Sequence, residues 1–170
     1  MPQDLIFQGN FMINLQVSIA KQELKVYKNT ELLKVYAIST AKNGPGEKKG
    51  SEQTPRGQHI IRAKIGDGCK TNTVFIGRRP TGEIYTPDLK ISHPGRDWIL
   101  TRILWLSGLE IGKNRLGEVD TMQRYIYIHG TPDDVDMGMP GSRGCIRLRN
   151  QDMIELFDKI PCFTPLQIYE

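Results

Sequence analysis

The sequence predicts a mainly β domain, a sandwich or barrel-like fold with one principal helix near the C-terminus. Three observations predict it. Apolar and polar residues alternate with period two in short runs from Ile13 onward, the pattern of half-buried strands. Gly, Pro and Asn clusters separate these runs. A single apolar stripe at helical spacing occurs late, between Gln151 and Lys159.

Ile13 to Ile19, Leu24 to Tyr27 and Leu32 to Ile38 read as an antiparallel meander. Lys28-Asn29-Thr30 turns between its last two strands, because Asn tolerates a left-handed backbone. Lys42 to Gly57 is a loop, with Gly44-Pro45-Gly46 and Thr54-Pro55-Arg56-Gly57 as turn signals. A strand follows over Gln58 to Ile65, then a turn at Gly66-Asp67-Gly68. Asn72 to Asp97 is rich in Gly and Pro, with a short strand at Val74-Phe75-Ile76. Connections of that length tend to be functional. Trp98 to Leu106 reads as a buried strand and Arg124 to Ile128 as another. Asn150 suits the N-cap of the helix, since its side-chain oxygen can accept from a first-turn amide. Met153, Ile154, Leu156, Phe157 and Ile160 form the apolar stripe, and Pro161 ends it. Leu166 to Tyr169 is a last strand.

A chain of 170 residues fits one domain, placed at residues 11–170. A chain of this size buries roughly 70% of its unfolded surface and needs no disulfide or metal to hold a core. Met1 to Asn10 reads as an N-terminal extension, in which Leu5-Ile6-Phe7-Gln8-Gly9 resembles a protease-cleavage linker. Met1 to Phe11 lacks the basic and apolar regions of a signal peptide. No run approaches the roughly 18 apolar residues of a membrane span. The net charge of +4 is spread along the chain, which argues against nucleic acid as a partner while leaving an anionic polymer unrepelled. Cys69, Cys145 and Cys162 are widely spaced with no CxxC, which argues against a cysteine-built zinc site. A Cys69–Cys162 bridge is a minor expectation for an exported chain. Asp133, Asp134 and Asp136 lack calcium-loop spacing and read as a solvated lid.

The chemistry concentrates between Tyr127 and Arg147. A strand ends on His129-Gly130, a loop rich in Gly, Pro and Asp follows, and the chain returns through Ser142-Arg143-Gly144-Cys145-Ile146-Arg147. A free thiol, with a pKa near 8.5, is mostly protonated at neutral pH. A nearby imidazole can take its proton and later return it to a leaving amine. Gly144 permits unusual backbone geometry that could aim the amides of residues 143 to 145 at one point as an oxyanion hole. The Gly130 carbonyl could fix the His129 tautomer. The residues alone leave two readings open: a packed, inert cysteine with a core histidine, which is the commoner fate, and a reacting pair, toward which the flanking glycines lean. His59 reads as a packed or surface histidine; His93 lies in the long connection, with the rim of the cleft as its minor reading. Trp98 and Trp105 read as core, with one a candidate for a groove wall. A tyrosine-phosphatase reading fails, because the sixth residue after Cys145 is Gln151 rather than arginine.

This segment resembles the catalytic motif of the L,D-transpeptidase (YkuD-type) family: His-Gly, a spacer, then Ser/Thr-His-Gly-Cys, an apolar residue and Asn or Arg. The likeness extends from Ile13 to Tyr169 and includes the opening meander, Thr54-Pro55-Arg56-Gly57 and Asn150-Gln151-Asp152 with its helix. It implies the family's β-sandwich or barrel-like catalytic fold, with Cys145 as nucleophile, His129 as base and acid, and Gly130 as its orienting carbonyl. It further implies oxyanion-hole amides at Arg143, Gly144 and Cys145, a substrate carboxylate on Arg147, and Ser142 supporting the turn. Arg143 stands where the family's commonest motif has histidine. It cannot act as a base, which leaves His129 alone in that role. The implied reaction is peptidoglycan cell-wall biogenesis in the periplasm or cell envelope. Cys145 attacks the third residue of a tetrapeptide stem, D-alanine leaves, and the thioester passes to a neighbouring stem or to an outer-membrane lipoprotein. Water as acceptor would make the chain an L,D-carboxypeptidase. A crosslink-cleaving amidase and a weakly active peptidoglycan-binding module are the alternatives. The resemblance implies no metal or organic cofactor, and it implies carbapenem β-lactams as covalent inhibitors.

Overall fold

The structure is a computed structural model that describes residues 12–170, so the readings of Met1 to Asn10 lie outside it. The opening meander forms as the alternation predicts: β1 (Ile13–Ser18), β2 (Glu23–Lys28) and β3 (Glu31–Ala37) pair antiparallel in sequence. Asn29 at the second turn has φ +55°, the left-handed conformation expected of it. Next come β4 (Gly57–Ile65), β5 (Thr73–Ile76), β6 (Arg79–Ile84), a short α1 (Pro87–Ser92) and β7 (Ile99–Gly108). The chain ends with β8 (Tyr127–Thr131), β9 (Ile146–Arg149), α2 (Asn150–Lys159) and β10 (Pro165–Tyr169).

The ten strands form one curled sheet in the order β3-β2-β1-β10-β4-β7-β5-β6, with β8 on β7 and β9 on β8. The curl nearly closes. The backbone just after β3 meets the far edge of the sheet. Ser39 and Arg147 exchange amide–carbonyl bonds of 3.0 and 2.9 Å, and Ala41 bridges to Ser142. Alternate residues of the strands fill the inside: Leu15, Val17, Leu24, Val26, Ile61, Leu104, Leu106, Ile128, Ile146 and Leu148 are buried together with Met153, Leu156 and Phe157 of α2. The helix therefore caps the core with the stripe its spacing predicts.

Four local expectations change. The strand expected over Arg124 to Ile128 begins only at Tyr127, because Tyr125 adopts φ +56° and breaks extension. The long connection holds a β5–β6 hairpin and α1, the latter capped by Thr86, whose hydroxyl accepts from the Leu89 amide at 3.2 Å. Asn150 is the first helical residue of α2 and its side chain does not cap; it turns instead to Thr101 and Asn72. The three cysteines are free, so no Cys69–Cys162 bridge exists.

His59 is fully buried on β4. Its ring joins the Gly57 carbonyl at Nδ1 and the Thr121 hydroxyl at Nε2, both at 2.9 Å. Burial pushes its pKa down from 6.5 to about 4. The unfolded chain thus takes up this proton at a pH where the folded chain does not. Stability is present above pH 6.5 and is lost as pH falls toward about 4, by roughly 3 kcal/mol from this group. Urea unfolding at pH 7 and pH 4 should show this loss in the wild type and a clearly smaller one in His59→Gln. Equal losses would remove His59 from the acid response.

Candidate active site

The parallel pairing of β8 with β9 assembles the site. Its register sets Ile128 beside Ile146 and His129 beside Arg147. Side chains alternate along a strand, so Tyr127, His129, Cys145 and Arg147 share one face. Ile128, Ile146 and Leu148 take the other and enter the core. The cysteine and histidine, 16 residues apart in sequence, are thereby brought to one wall of a cleft of about 490 Å³, which both line.

The turn before Cys145 is held from three sides. Thr54 accepts from the Ala41 amide (3.0 Å) and donates to the Gly144 carbonyl (2.9 Å). Ser142 Oγ donates to the Cys145 carbonyl (2.5 Å) and accepts from the Gly144 amide (3.2 Å). The backbone at residues 40–42 pairs with Gly141 and Ser142 at 2.8–2.9 Å. Gly144 has φ +131°, which a side chain would strain. Ser142 supports the turn as the resemblance implies. The Gly144 amide, one of the three expected oxyanion donors, is engaged within the turn by Ser142 Oγ.

His129 is buried, and its Nδ1 lies 2.6 Å from the Gly130 carbonyl. Nδ1 therefore carries the proton and Nε2 is left as an acceptor. Burial holds the His129 pKa below the usual imidazole range, and the Asp97 carboxylate and the Gly130 carbonyl only partly oppose this. The Cys145 sulfur accepts from the Tyr127 amide (3.3 Å) and donates to the Tyr125 carbonyl (3.5 Å). Burial pushes its thiol up to about 12, against the Tyr127 amide and the charges of Arg124 and Arg147. Both shifts run toward the uncharged forms of the two groups.

Gly130 packs against a polar network. A Cβ there would lie 2.3 Å from Asn150 Oδ1 and 2.7 Å from the Leu100 carbonyl oxygen. Thr101 donates to Asn150 (2.6 Å), Asn150 donates to Asn72 (2.8 Å), and the Asn72 amide donates back to Thr101 (3.0 Å). Thr101 sits at φ +75° in the β7 irregularity, an uncommon conformation for a β-branched residue. This network buttresses the strand that carries His129.

The cleft walls add residues that the sequence did not single out. Arg78 packs over Trp105 (4.2 Å to the ring centroid) and Tyr125 (5.1 Å) and donates to the Tyr127 hydroxyl (3.0 Å). Arg124 donates to the carbonyls of Gln53 (2.7 Å) and Glu47 (3.1 Å), pinning the loop before β4. Trp105 is thus a support for the wall. Asp97 lines the main cleft and also a second cavity of about 210 Å³, and Trp98 lines only the latter. Arg147 faces that second cavity, not the main one. Arg143 lines both and a third recess of about 330 Å³ beside Arg124. His93 lies exposed at the end of α1 and lines none of these three. Asp134 is paired with Lys90 (2.8 Å), joining the 132–141 loop to α1. The length of the Asn72–Asp97 connection was the one sequence signal for Arg78 and Asp97.

A family model described as the L,D-transpeptidase catalytic domain matches residues 14–168. A putative L,D-transpeptidase YkuD of Bacillus licheniformis is 27% identical over 154 residues, which are 91% of this chain and 64% of that protein. An L,D-transpeptidase from Mycobacterium smegmatis superposes with TM-score 0.59 at 17% identity, over 94% of this chain and 59% of that one. The structure of L,D-transpeptidase LdtMt1 in complex with imipenem superposes with TM-score 0.57 at 20% identity, with the same coverages. The chain thus spans less than two thirds of each of these relatives. At these identities the superpositions establish the fold.

Two outcomes follow from the geometry. Gly130→Ala should lower stability by about 1–3 kcal/mol, read from denaturant midpoints, because the added methyl meets a backbone carbonyl. Alkylation of Cys145 by iodoacetamide, followed peptide by peptide in the mass spectrometer, should keep accelerating past about pH 9. A rate plateau beginning near pH 6 would mean that a thiolate–imidazolium pair already exists at rest.

Proposed function

The chain belongs to the L,D-transpeptidase catalytic-domain family, and we propose that it is a peptidoglycan L,D-transpeptidase acting through a thioester on Cys145. One observation carries the reading: the β8–β9 register sets a thiol and an imidazole of fixed tautomer on one wall of an open cleft. His129 Nε2 takes the thiol proton as Sγ leaves the Tyr125 carbonyl and attacks the carbonyl carbon of the third stem residue. The C–S bond forms, and the oxyanion is met by the amides of Arg143 and Cys145. The C–N bond then breaks, and D-alanine leaves with the proton that His129 returns. In the second half, an acceptor amine attacks the thioester, gives its proton to His129, and Cys145 departs as the thiolate. One oxyanion donor of this kind is worth roughly 2.7–4 kcal/mol of barrier.

The acceptors that suit this chemistry are the side-chain amine of a neighbouring stem, giving a 3–3 crosslink, and the lysine of an outer-membrane lipoprotein. The work belongs to the periplasm or cell envelope, where the stems are. Among the described residues no helix is long and apolar enough to cross a membrane. A strained β-lactam carbonyl suits the same nucleophile, and the imipenem complex of a related fold supports that expectation.

Incubation with a carbapenem should add one drug mass to the intact protein, and Cys145→Ala should abolish the adduct. His129→Ala should slow its formation by 10²–10⁴-fold. An adduct that persists in Cys145→Ala overturns the nucleophile. Tetrapeptide monomers should yield dimers and free D-alanine; tripeptide monomers alone would make the chain a hydrolase.

A further inference from the structure

Arg124 immediately precedes the left-handed Tyr125, and its half-buried side chain lines the catalytic cleft together with Cys145. Both terminal nitrogens are committed. One donates to the carbonyls of Gly46 (3.3 Å) and Glu47 (3.1 Å), the other to Ser51 Oγ (3.3 Å) and the Gln53 carbonyl (2.7 Å). Every one of these partners is a neutral oxygen. The Glu47 carboxylate turns instead to Arg56, which it meets at 3.1 and 3.2 Å. Among the described residues Arg124 forms no ion pair. The guanidinium is thus fixed by four bonds, and no carboxylate neutralises its charge.

Two contacts carry that position to the nucleophile. The Gln53 carbonyl packs on Gly144, its oxygen 3.4 Å from the point a Cβ would occupy. The Tyr125 carbonyl, next along the chain, accepts from the Cys145 sulfur at 3.5 Å. We propose that Arg124 is a positioning residue of the acyl-transfer site: it fixes an uncompensated positive charge in the cleft wall beside Cys145, so that the thiolate forms more readily when the thiol gives up its proton. The inference rests on the reading of Cys145 as the acyl carrier. A charge held in place beforehand needs no reorganisation as the anion develops. The other groups around the sulfur are engaged elsewhere or oppose it. Asp97, before β7, raises the thiol further, and Arg147 of β9 helps less than Arg124 while facing the second cavity. Arg78 of the β5–β6 turn is engaged with Trp105, Tyr125 and the Tyr127 hydroxyl. Arg143 is tied to the Gly95 carbonyl. Burial holds Tyr127 and His129 of β8 toward their uncharged forms.

The test separates the charge from the clamp. Arg124→Gln removes the charge, whereas Arg124→Lys keeps it and loses the guanidinium fork that holds four oxygens. Both variants should lower the thermal midpoint by similar amounts, because both release the loop from Gly46 to Gln53; circular dichroism checks that each is folded. Iodoacetamide alkylation of Cys145, followed peptide by peptide from about pH 7 to about pH 10, reads the thiol itself and needs no turnover. Arg124→Gln should be alkylated about tenfold more slowly than the wild type at each pH, and its acylation by a carbapenem should slow by a similar factor. Arg124→Lys should stay within about threefold of the wild type in both. Equal slowing of the two variants would leave Arg124 a clamp and nothing more. Faster alkylation of Arg124→Gln would mean that the side chain merely shields the sulfur. Either result overturns the charge assignment. A wild type that is alkylated on Cys145 and yet takes up no carbapenem overturns the reading of Cys145 as the acyl carrier, while the alkylation series still decides the effect of Arg124 on the thiol.

Discussion

Two backbone hydrogen bonds between Ser39 and Arg147 close a sheet that would otherwise be open, and the reactive turn exists because of that closure. Residues 38–42 leave the end of β3 and run along β9 and the segment before it. There they pair with Gly138, Gly141, Ser142 and Arg147. Without that partner the Ser142–Cys145 turn would be a free loop between two strands. Gln22 keeps the clamp in place from the inside: its side chain donates to Thr40 Oγ1 at 2.7 Å and accepts from the Thr40 amide at 2.9 Å. Each such buried bond is worth only about 1 kcal/mol net, but breaking one strands its partner without water. The meander at the start of the chain is therefore part of the site, although none of its side chains enters the cleft.

The same closure sets the electrostatics. The Cys145 thiol is pushed well above its ordinary range, up to about 12. Burial is the cause, and the surrounding arginines recover only part of the cost. The uncharged thiol is the form that can donate to the Tyr125 carbonyl. Tyr125 is itself in a left-handed conformation, rare for a bulky residue, and residues so held tend to gather at functional sites.

Much of this was legible in the sequence. Period-two alternation marked β1 to β4 and β10, and the apolar stripe marked α2. The glycines beside His129 and Cys145 drew attention to that pair, and each does stand where backbone approaches backbone or takes a left-handed conformation. What was not legible depended on distant partners. Asn150 looks like a helix cap by local sequence, yet Thr101 and Asn72 claim its side chain, a contact made only when β7 folds past β8. Arg147 pointed to a carboxylate, but the alternation along β9 could not say which cavity it faces. Asp97 and Arg78 sit in a connection whose hairpin and helix have weak periodicity. Their proximity to Cys145 follows from β5 pairing with β7, which no local pattern announces.

Arg143 shows how one substitution redistributes these roles. A histidine at this position would add a second titrating group where the three recesses meet. Arginine supplies a charge that does not change over the physiological range, tied to the Gly95 carbonyl. The cleft then has one proton-transfer group, His129, whose pKa burial has lowered. A lowered imidazole pKa means that the base form is present at neutral pH and is lost only as pH falls through that depressed value. The fixed charge at the junction and the imidazole that titrates below its usual range are thus carried by different residues, Arg143 and His129.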